Sequence, residues 1–179
     1  MKNKIPYKNN KTFTNVDPIT VEVIRNSFAS IAKQMNQNLA RSAYTPIIYE
    51  MKDCSVAIFD RNVNLVGQSS GLPVFLGTLG PAVKAVVKSY KISELKEGDI
   101  YIINDSYIVG SHLNDMTVLS PIFYKNKLIG FGATKAHWMD IGAKSPSSAT
   151  DSTEIYQEGY RLGPTRAFKG GKPEKDIID

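Results

Sequence analysis

Residues 112–140 read HLNDMTVLSPIFYKNKLIGFGATKAHWMD, and the middle of that stretch decides the fold. Met116 to Phe123 and Leu128 to Ala136 are rich in apolar and β-branched residues and flank the polar Lys125-Asn126 pair. Asn tolerates the positive φ that tight hairpin turns demand, so the pattern predicts two antiparallel strands closing near Lys125-Asn126. A turn centred there places Asp115 opposite Ala136 and Asn114 opposite His137. A slip of a residue or two would change the register without separating the strand ends.

The two ends of this hairpin carry the only two histidines, each followed three residues later by aspartate: His112-Leu113-Asn114-Asp115 and His137-Trp138-Met139-Asp140. Imidazole nitrogen with carboxylate oxygen suits Mn²⁺, Fe²⁺ or Zn²⁺. Facing positions of a hairpin lie about 5 Å apart, so His112, Asp115, His137 and Asp140 can surround one ion at the open end. Two imidazoles and two carboxylates form a harder set than a structural zinc cluster and leave room for water, which points to a catalytic or substrate-positioning ion rather than a purely structural one; of Mn²⁺, Zn²⁺ and Fe²⁺, Mn²⁺ is the favoured expectation. The same spacing also builds plain His–Asp hydrogen-bond pairs, and that structural reading stands beside the metal one. With both histidines on a metal, proton transfer falls to a water activated by the ion or to a carboxylate, of which Asp53, Asp105 and Glu154 are the candidates.

Working outward, Asp17-Pro18 reads as a helix start, a capping carboxylate followed by a proline at the first helical position. Val21, Ile24, Phe28, Ile31, Met35 and Leu39 then recur at helical spacing up to Thr45-Pro46. Cys54 to Phe59 and Leu65 to Gly67 read as strands around Asp60-Arg61-Asn62-Val63. Gly77-Thr78-Leu79-Gly80-Pro81 reads as the entry to a second helix with Val83, Val86 and Val87 inward. Gly98-Asp99 turns into a buried strand, Ile100 to Ile103, ending at Asn104-Asp105. Residues 141–153 read as a small-residue loop, and the charged stretch from Lys169 to Asp179 closes nothing. The expected fold class is α+β: a long N-terminal helix and a second helix packed on a mixed, largely antiparallel sheet.

Composition narrows the function classes. The formal charge of +5 is mostly the tail, because Lys2, Lys4, Lys8 and Lys11 precede the first acidic residue, Asp17. Residues 1–16 read as a disordered basic tail, and no basic face with interleaved aromatics follows, so nucleic acid is not an expected partner. No apolar run approaches the roughly 20 residues of a membrane span, and no signal peptide is evident. With Cys54 the only cysteine, a soluble cytoplasmic protein is expected. Cys54 itself reads as a packed thiol rather than a nucleophile. Neither Gly77–Pro81 nor Gly170-Gly171-Lys172 has the Gly-Lys-Ser/Thr ending of a phosphate-binding loop, so no ATP site is expected in this chain.

Ordered motifs give a family resemblance. Asp17-Pro18-Ile19-Thr20-Val21-Glu22-Val23-Ile24-Arg25-Asn26 resembles the opening of the hydantoinase B / 5-oxoprolinase family, which includes the acetone carboxylase alpha subunit. Ala57-Ile58-Phe59-Asp60, Asn104-Asp105-Ser106-Tyr107, Gly110-Ser111-His112-Leu113-Asn114-Asp115, Ala136-His137-Trp138-Met139-Asp140-Ile141-Gly142 and Thr153-Glu154-Ile155-Tyr156-Gln157-Glu158-Gly159 follow in the family's order. The resemblance implies ATP-dependent opening of cyclic amides such as hydantoins and 5-oxoproline. A hydantoinase A-type partner subunit would bind ATP and phosphorylate the substrate, and the B-type part would carry the metal on His112, Asp115, His137 and Asp140. Asp105 and Glu154 would give catalytic support. B-type subunits run to several hundred residues, so residues 17–179 resemble the N-terminal portion and imply a partner in the remainder of the subunit. The alternatives are an ATP-dependent ketone carboxylase component and a non-catalytic assembly module. The chain departs from the family's pattern in having Phe75 where a histidine is common and Val63 where the first hairpin turn often has glycine, an awkward residue if φ is positive there.

Overall fold

The computed structural model of the chain describes residues 16–147 and 151–178. The reading of residues 1–16 as a tail falls, but for Val16, outside them. In chain order the elements are α1 (Pro18–Ser42), α2 (Pro46–Tyr49), β1 (Cys54–Asp60), β2 (Leu65–Gln68), α3 (Pro73–Ser89), β3 (Ile100–Ile103), α4 (Ser106–Val109), β4 (Asp115–Tyr124), β5 (Lys127–His137), β6 (Thr165–Lys169), β7 (Lys172–Pro173) and α5 (Lys175–Ile178). The strands form one sheet in the order β2-β1-β5-β4-β3-β6-β7. Every pairing in it is antiparallel, so the α+β class holds and the sheet is not mixed.

The β4–β5 hairpin closes at Lys125 and Asn126, both at positive φ (46° and 60°), the conformation of a two-residue hairpin turn. Next to the turn the expected register holds, with Phe123 opposite Leu128. An irregularity between Ile122 and Phe123 then shifts it by one, so Ile122 faces Gly130 and Asp115 faces His137. This is the effect of an extra residue in one strand, which the turn sequence alone does not reveal. Gly130 sits where a Cβ would collide with the carbonyl oxygen of Phe59, so its bareness lets β1 pair closely with β5.

The helices cover opposite faces of the sheet. Asp17 Oδ2 caps α1 by accepting from the Thr20 N–H (2.9 Å) and hydroxyl (2.7 Å), and these bonds hold its carboxyl below the usual range. Met35 of α1 packs over Gly132, Phe28 over Gly67, and Leu39 beside Cys54 and Ala136. Val21, Ile24 and Ile31 of the same stripe are exposed. The Cys54 thiol is buried, raised in pKa by that burial, and donates to Asn36 Oδ1 at 3.3 Å. It is a packed thiol.

On the other face Leu79, Val83 and Val86 of α3 meet Ala57, Phe59, Tyr101, Leu119, Phe131 and Ala133 in the main core. α3 begins at Pro73, so Gly77–Pro81 lies inside the helix rather than at its entry, and Pro81 forfeits one hydrogen bond on the exposed side. Val63 does adopt positive φ (63°), and its side chain is buried in the same core. Burial offsets the backbone strain that a glycine would have avoided.

The C-terminal stretch corrects another expectation. β6 and β7 complete the far edge of the sheet, turning at Gly170 and Gly171 (φ 55° and 81°). The Gly170 N–H donates to Asp99 Oδ1 and the Gly171 N–H to the Gly98 carbonyl. No helix among the described residues is long and apolar enough to cross a membrane.

Candidate metal centre

β4 and β5 end side by side, and their last facing pair is Asp115 and His137. Strand alternation directs residues 133, 135 and 137 of β5 to the α3 face. His137 is buried, and its Nδ1 lies 2.9 Å from Asp115 Oδ1. That hydrogen bond is the main reason the His137 pKa is raised, against the opposing effect of burial.

His112 arrives from a different direction. Asp105 caps the single turn of α4 by accepting from the Tyr107 N–H (3.0 Å), and Gly110 at φ 60° ends that turn. The chain then swings back so that the His112 N–H donates to Asp115 Oδ2 at 2.9 Å. His112 Nδ1 stands 3.6 Å from the same oxygen, with its side chain largely exposed. The two imidazole rings are 6.2 Å apart and nearly perpendicular. Ligand-capable atoms of His112, Asp115 and His137 all lie within 4.8 Å of one another, a spacing that one ion can span.

A fourth ionisable group acts on this trio. Asp53 immediately precedes β1, and its carbonyl accepts from the His137 N–H at 3.2 Å. Its Oδ1 is buried and has no hydrogen-bond partner among the described residues. Burial raises the Asp53 pKa, with the neighbouring imidazoles and Asp115 acting on it as well. A buried carboxylate oxygen without a partner is costly unless a cation meets it. The donor set of two imidazoles and the Asp115 carboxylate, with that orphaned oxygen as a neighbouring charge, fits a divalent ion.

Asp140 is placed elsewhere. It is exposed, its Oδ1 accepts from the Gly142 N–H (2.8 Å), and it borders an apolar hollow of about 800 Å³ together with Trp138. It stands outside the group formed by His112, Asp115 and His137. Asp105 serves α4 and faces Arg161 at 3.9 Å. Glu154 lines a cleft of about 350 Å³ that opens beside His112.

Sequence reasoning took Asp53 only as a proton carrier, because nothing in the sequence reveals that β1 pairs with β5. It did not single out Lys135. This lysine is fully buried, two residues before His137, and donates to Ser111 Oγ at 2.8 Å. Its ammonium stands 5.8 Å from the Phe75 ring centre, and burial lowers its pKa to about 8 despite the attraction of Asp115. A lysine on the inward side of a strand is the signal that could have found it.

Comparison with known proteins identifies the family. The family model for hydantoinase B/oxoprolinase matches residues 17–179. An uncharacterized protein of Methanocaldococcus jannaschii is 40% identical over 92% of this chain and 30% of its own. The crystal structure of ATP-dependent caprolactamase from Pseudomonas jessenii superposes with a TM-score of 0.80 at 32% identity, over 92% of this chain and 28% of that one. A nucleotide-free structure of acetone carboxylase gives 0.82 at 23% identity, over 89% and 21% of the two chains, a likeness of fold. The chain thus spans about three tenths of the length of the first relatives it matches. By the match along almost all of its described residues, this chain belongs to the hydantoinase B/oxoprolinase family.

Proposed function

We propose that the chain is the metal-binding N-terminal part of a B-type subunit in a cytoplasmic, ATP-dependent cyclic amide hydrolase. ATP would be bound by an A-type partner subunit, and the remainder of the B-type subunit would complete the site. The observation that carries this reading is the convergence of His112, Asp115 and His137 at one end of the sheet, with the unpartnered oxygen of Asp53 as a neighbouring charge. These three residues would hold the ion. Asp140 would enter only if residues 138–142 rearranged. A divalent ion there supplies Lewis acidity toward a carbonyl or a water, with Mn²⁺, Zn²⁺ and Fe²⁺ all compatible with the donors.

The chain's own residues do the positioning. Asp115 holds the His137 ring through Nδ1 and the His112 backbone through its N–H, so one carboxylate bonds both histidines. Asp105 keeps the α4 turn in place behind His112. Glu154, at the cleft beside His112, is the carboxylate within reach of a bound substrate for moving a proton. In the family reading the partner phosphorylates the amide oxygen, and the B-type site assists opening of the activated ring.

The test is reconstitution. Metal content of the purified chain is measured first. ATP-coupled hydrolysis of hydantoin, caprolactam and 5-oxoproline is then assayed with the remainder of the subunit and an A-type partner. Metal at one equivalent and amide-dependent ATP consumption are expected. Bicarbonate-dependent consumption of a ketone in the same assay would replace the hydrolase with a carboxylase.

A further inference from the structure

Strands β3 and β4 are apolar on both faces. Tyr101, Ile103 and Leu119 pack in the cores on the α3 side. Strand alternation sends Ile100, Ile102, Met116 and Val118 to the other side. Met116 lies opposite Ala136, which packs beside Leu39, so this is the face that α1 occupies. α1 lies over β1 and β2 and reaches β5 through Met35 at Gly132. Over β3 and β4 the same face carries the apolar hollow of about 800 Å³, floored by those four side chains and bordered by Trp138 and Ile177. The water-facing side of an antiparallel sheet ordinarily turns polar at every second residue. A face that stays apolar over several strands marks an interface.

Length indicates what covers it. The match takes in 92% of this chain but only 30% of the Methanocaldococcus jannaschii relative and 28% of the caprolactamase beta subunit. About seven tenths of such a subunit therefore lies outside the matched piece, and contact between parts of one subunit needs a broad, partly apolar surface. A second copy of this chain fits less well, because a two-fold contact would set one recess against its twin and fill neither. The hollow also adjoins the metal centre, since Trp138 follows His137 directly. We propose that the bare half of this face is the seat of the remainder of the B-type subunit, which extends the layer that α1 begins; this rests on the B-type reading above. Docking there buries Trp138 and backs the end of β5 one residue from His137.

The test is co-expression of the full chain, tagged, with a defined probe: the seven tenths of the Methanocaldococcus jannaschii relative outside its match to this chain. Trp138 is the only tryptophan and is 39% exposed, so hydroxyl-radical oxidation followed by mass spectrometry reads the border of the hollow directly. Co-purification at one to one is expected, with Trp138 oxidation at least about threefold lower in the complex than in the free chain. Val118→Lys, on the floor, and Ile177→Glu, at the exposed border, should each cut probe recovery at least about tenfold. Circular dichroism and Tm of each free variant establish that it folds, and Ile177→Glu carries the test should Val118→Lys unfold. Undiminished probe recovery by a folded variant, or Trp138 oxidised equally in complex and free chain, overturns the hollow as the seat and leaves the B-type reading standing. A homodimer that these substitutions abolish would make a second copy the occupant and overturn it too. Failure of the unaltered chain to retain the probe overturns the reading that it works with a remainder, and this inference with it.

Discussion

Asp115 and His137 face each other at the last rung of the β4–β5 ladder, with Asp115 Oδ1 2.9 Å from His137 Nδ1. The other oxygen of the same carboxylate takes the His112 N–H at 2.9 Å. A side chain buried to this degree and bound on both oxygens loses little entropy on meeting an ion, which is how a protein preorganises a metal site. The pair thus links the longest hairpin of the sheet to the loop that carries His112.

Replacing that carboxylate separates charge from shape. Asp115→Asn keeps the volume and can still accept the His112 N–H, but it brings no negative charge to an ion. Metal affinity is expected to fall at least about 100-fold, while the fold persists. Titration of the purified variant with Zn²⁺ against a competing chelator measures this. An unchanged affinity would remove the site from the proposed function.

The raised pKa of His137 gives a pH signature. Its bond to Asp115 stabilises the charged imidazole, so without metal this contribution is fully present below the ordinary histidine value of 6.5 and is lost as pH rises through the raised folded value. A metal needs the neutral ring, so stabilisation by the ion grows over the same window. The difference in Tm between Mn²⁺-loaded and EDTA-treated protein should therefore widen from pH 6 to 8 or so. A gap that narrows with rising pH would place the ion elsewhere.

Asp53 should respond with opposite signs in two measurements. Burial raises its pKa, so the metal-free fold favours the protonated acid, and its contribution is lost as pH rises through that value. Asp53→Asn removes the buried charge and should leave metal-free stability at pH 7 equal or higher, by up to about 1 kcal/mol. Metal affinity should fall by at least about tenfold. Chemical denaturation with EDTA and metal titration separate the two effects. A variant less stable without metal and unchanged with it would make Asp53 a structural residue.

Much of this centre was legible before any coordinates. The paired His-x-x-Asp spacing and the Lys125-Asn126 turn bring His112, Asp115 and His137 to one place, because hairpin geometry is local. What stayed hidden came from long-range pairing. Asp53 joins the group only because β1 adds to the outer side of β5, a contact across some eighty residues that no local pattern encodes. The one-residue shift beyond Ile122 has the same character, since it accompanies the close approach of β1 at Gly130. Asp140 lies beyond a bend after the end of β5 and borders the hollow lined by Trp138, Met116 and Val118. The start of α3 was misread because proline and glycine at 77–81 signal a boundary locally, while burial of Phe75 and Leu79 carries the helix through them.

Lys135 is the residue whose replacement should improve the metal-free fold. Its side chain is fully buried with one hydrogen bond, to Ser111, and its pKa is lowered to about 8 from 10.5, chiefly by burial. A depressed lysine pKa means that the charged form burdens the folded state, a cost present at neutral pH and relieved as pH rises from about 8 towards 10.5. Without metal, stability should accordingly rise across that interval. Lys135→Met keeps the length and apolar stem while removing the charge, so the variant should gain roughly 1–3 kcal/mol at pH 7 and lose the alkaline rise. It should also bind a divalent ion somewhat more tightly, since a like charge near the centre is gone. Urea denaturation at pH 7 and 9.5, with EDTA, reads the first two effects. A variant destabilised at pH 7 by more than about 1 kcal/mol would instead show that the ammonium holds Ser111 and the His112 loop in place.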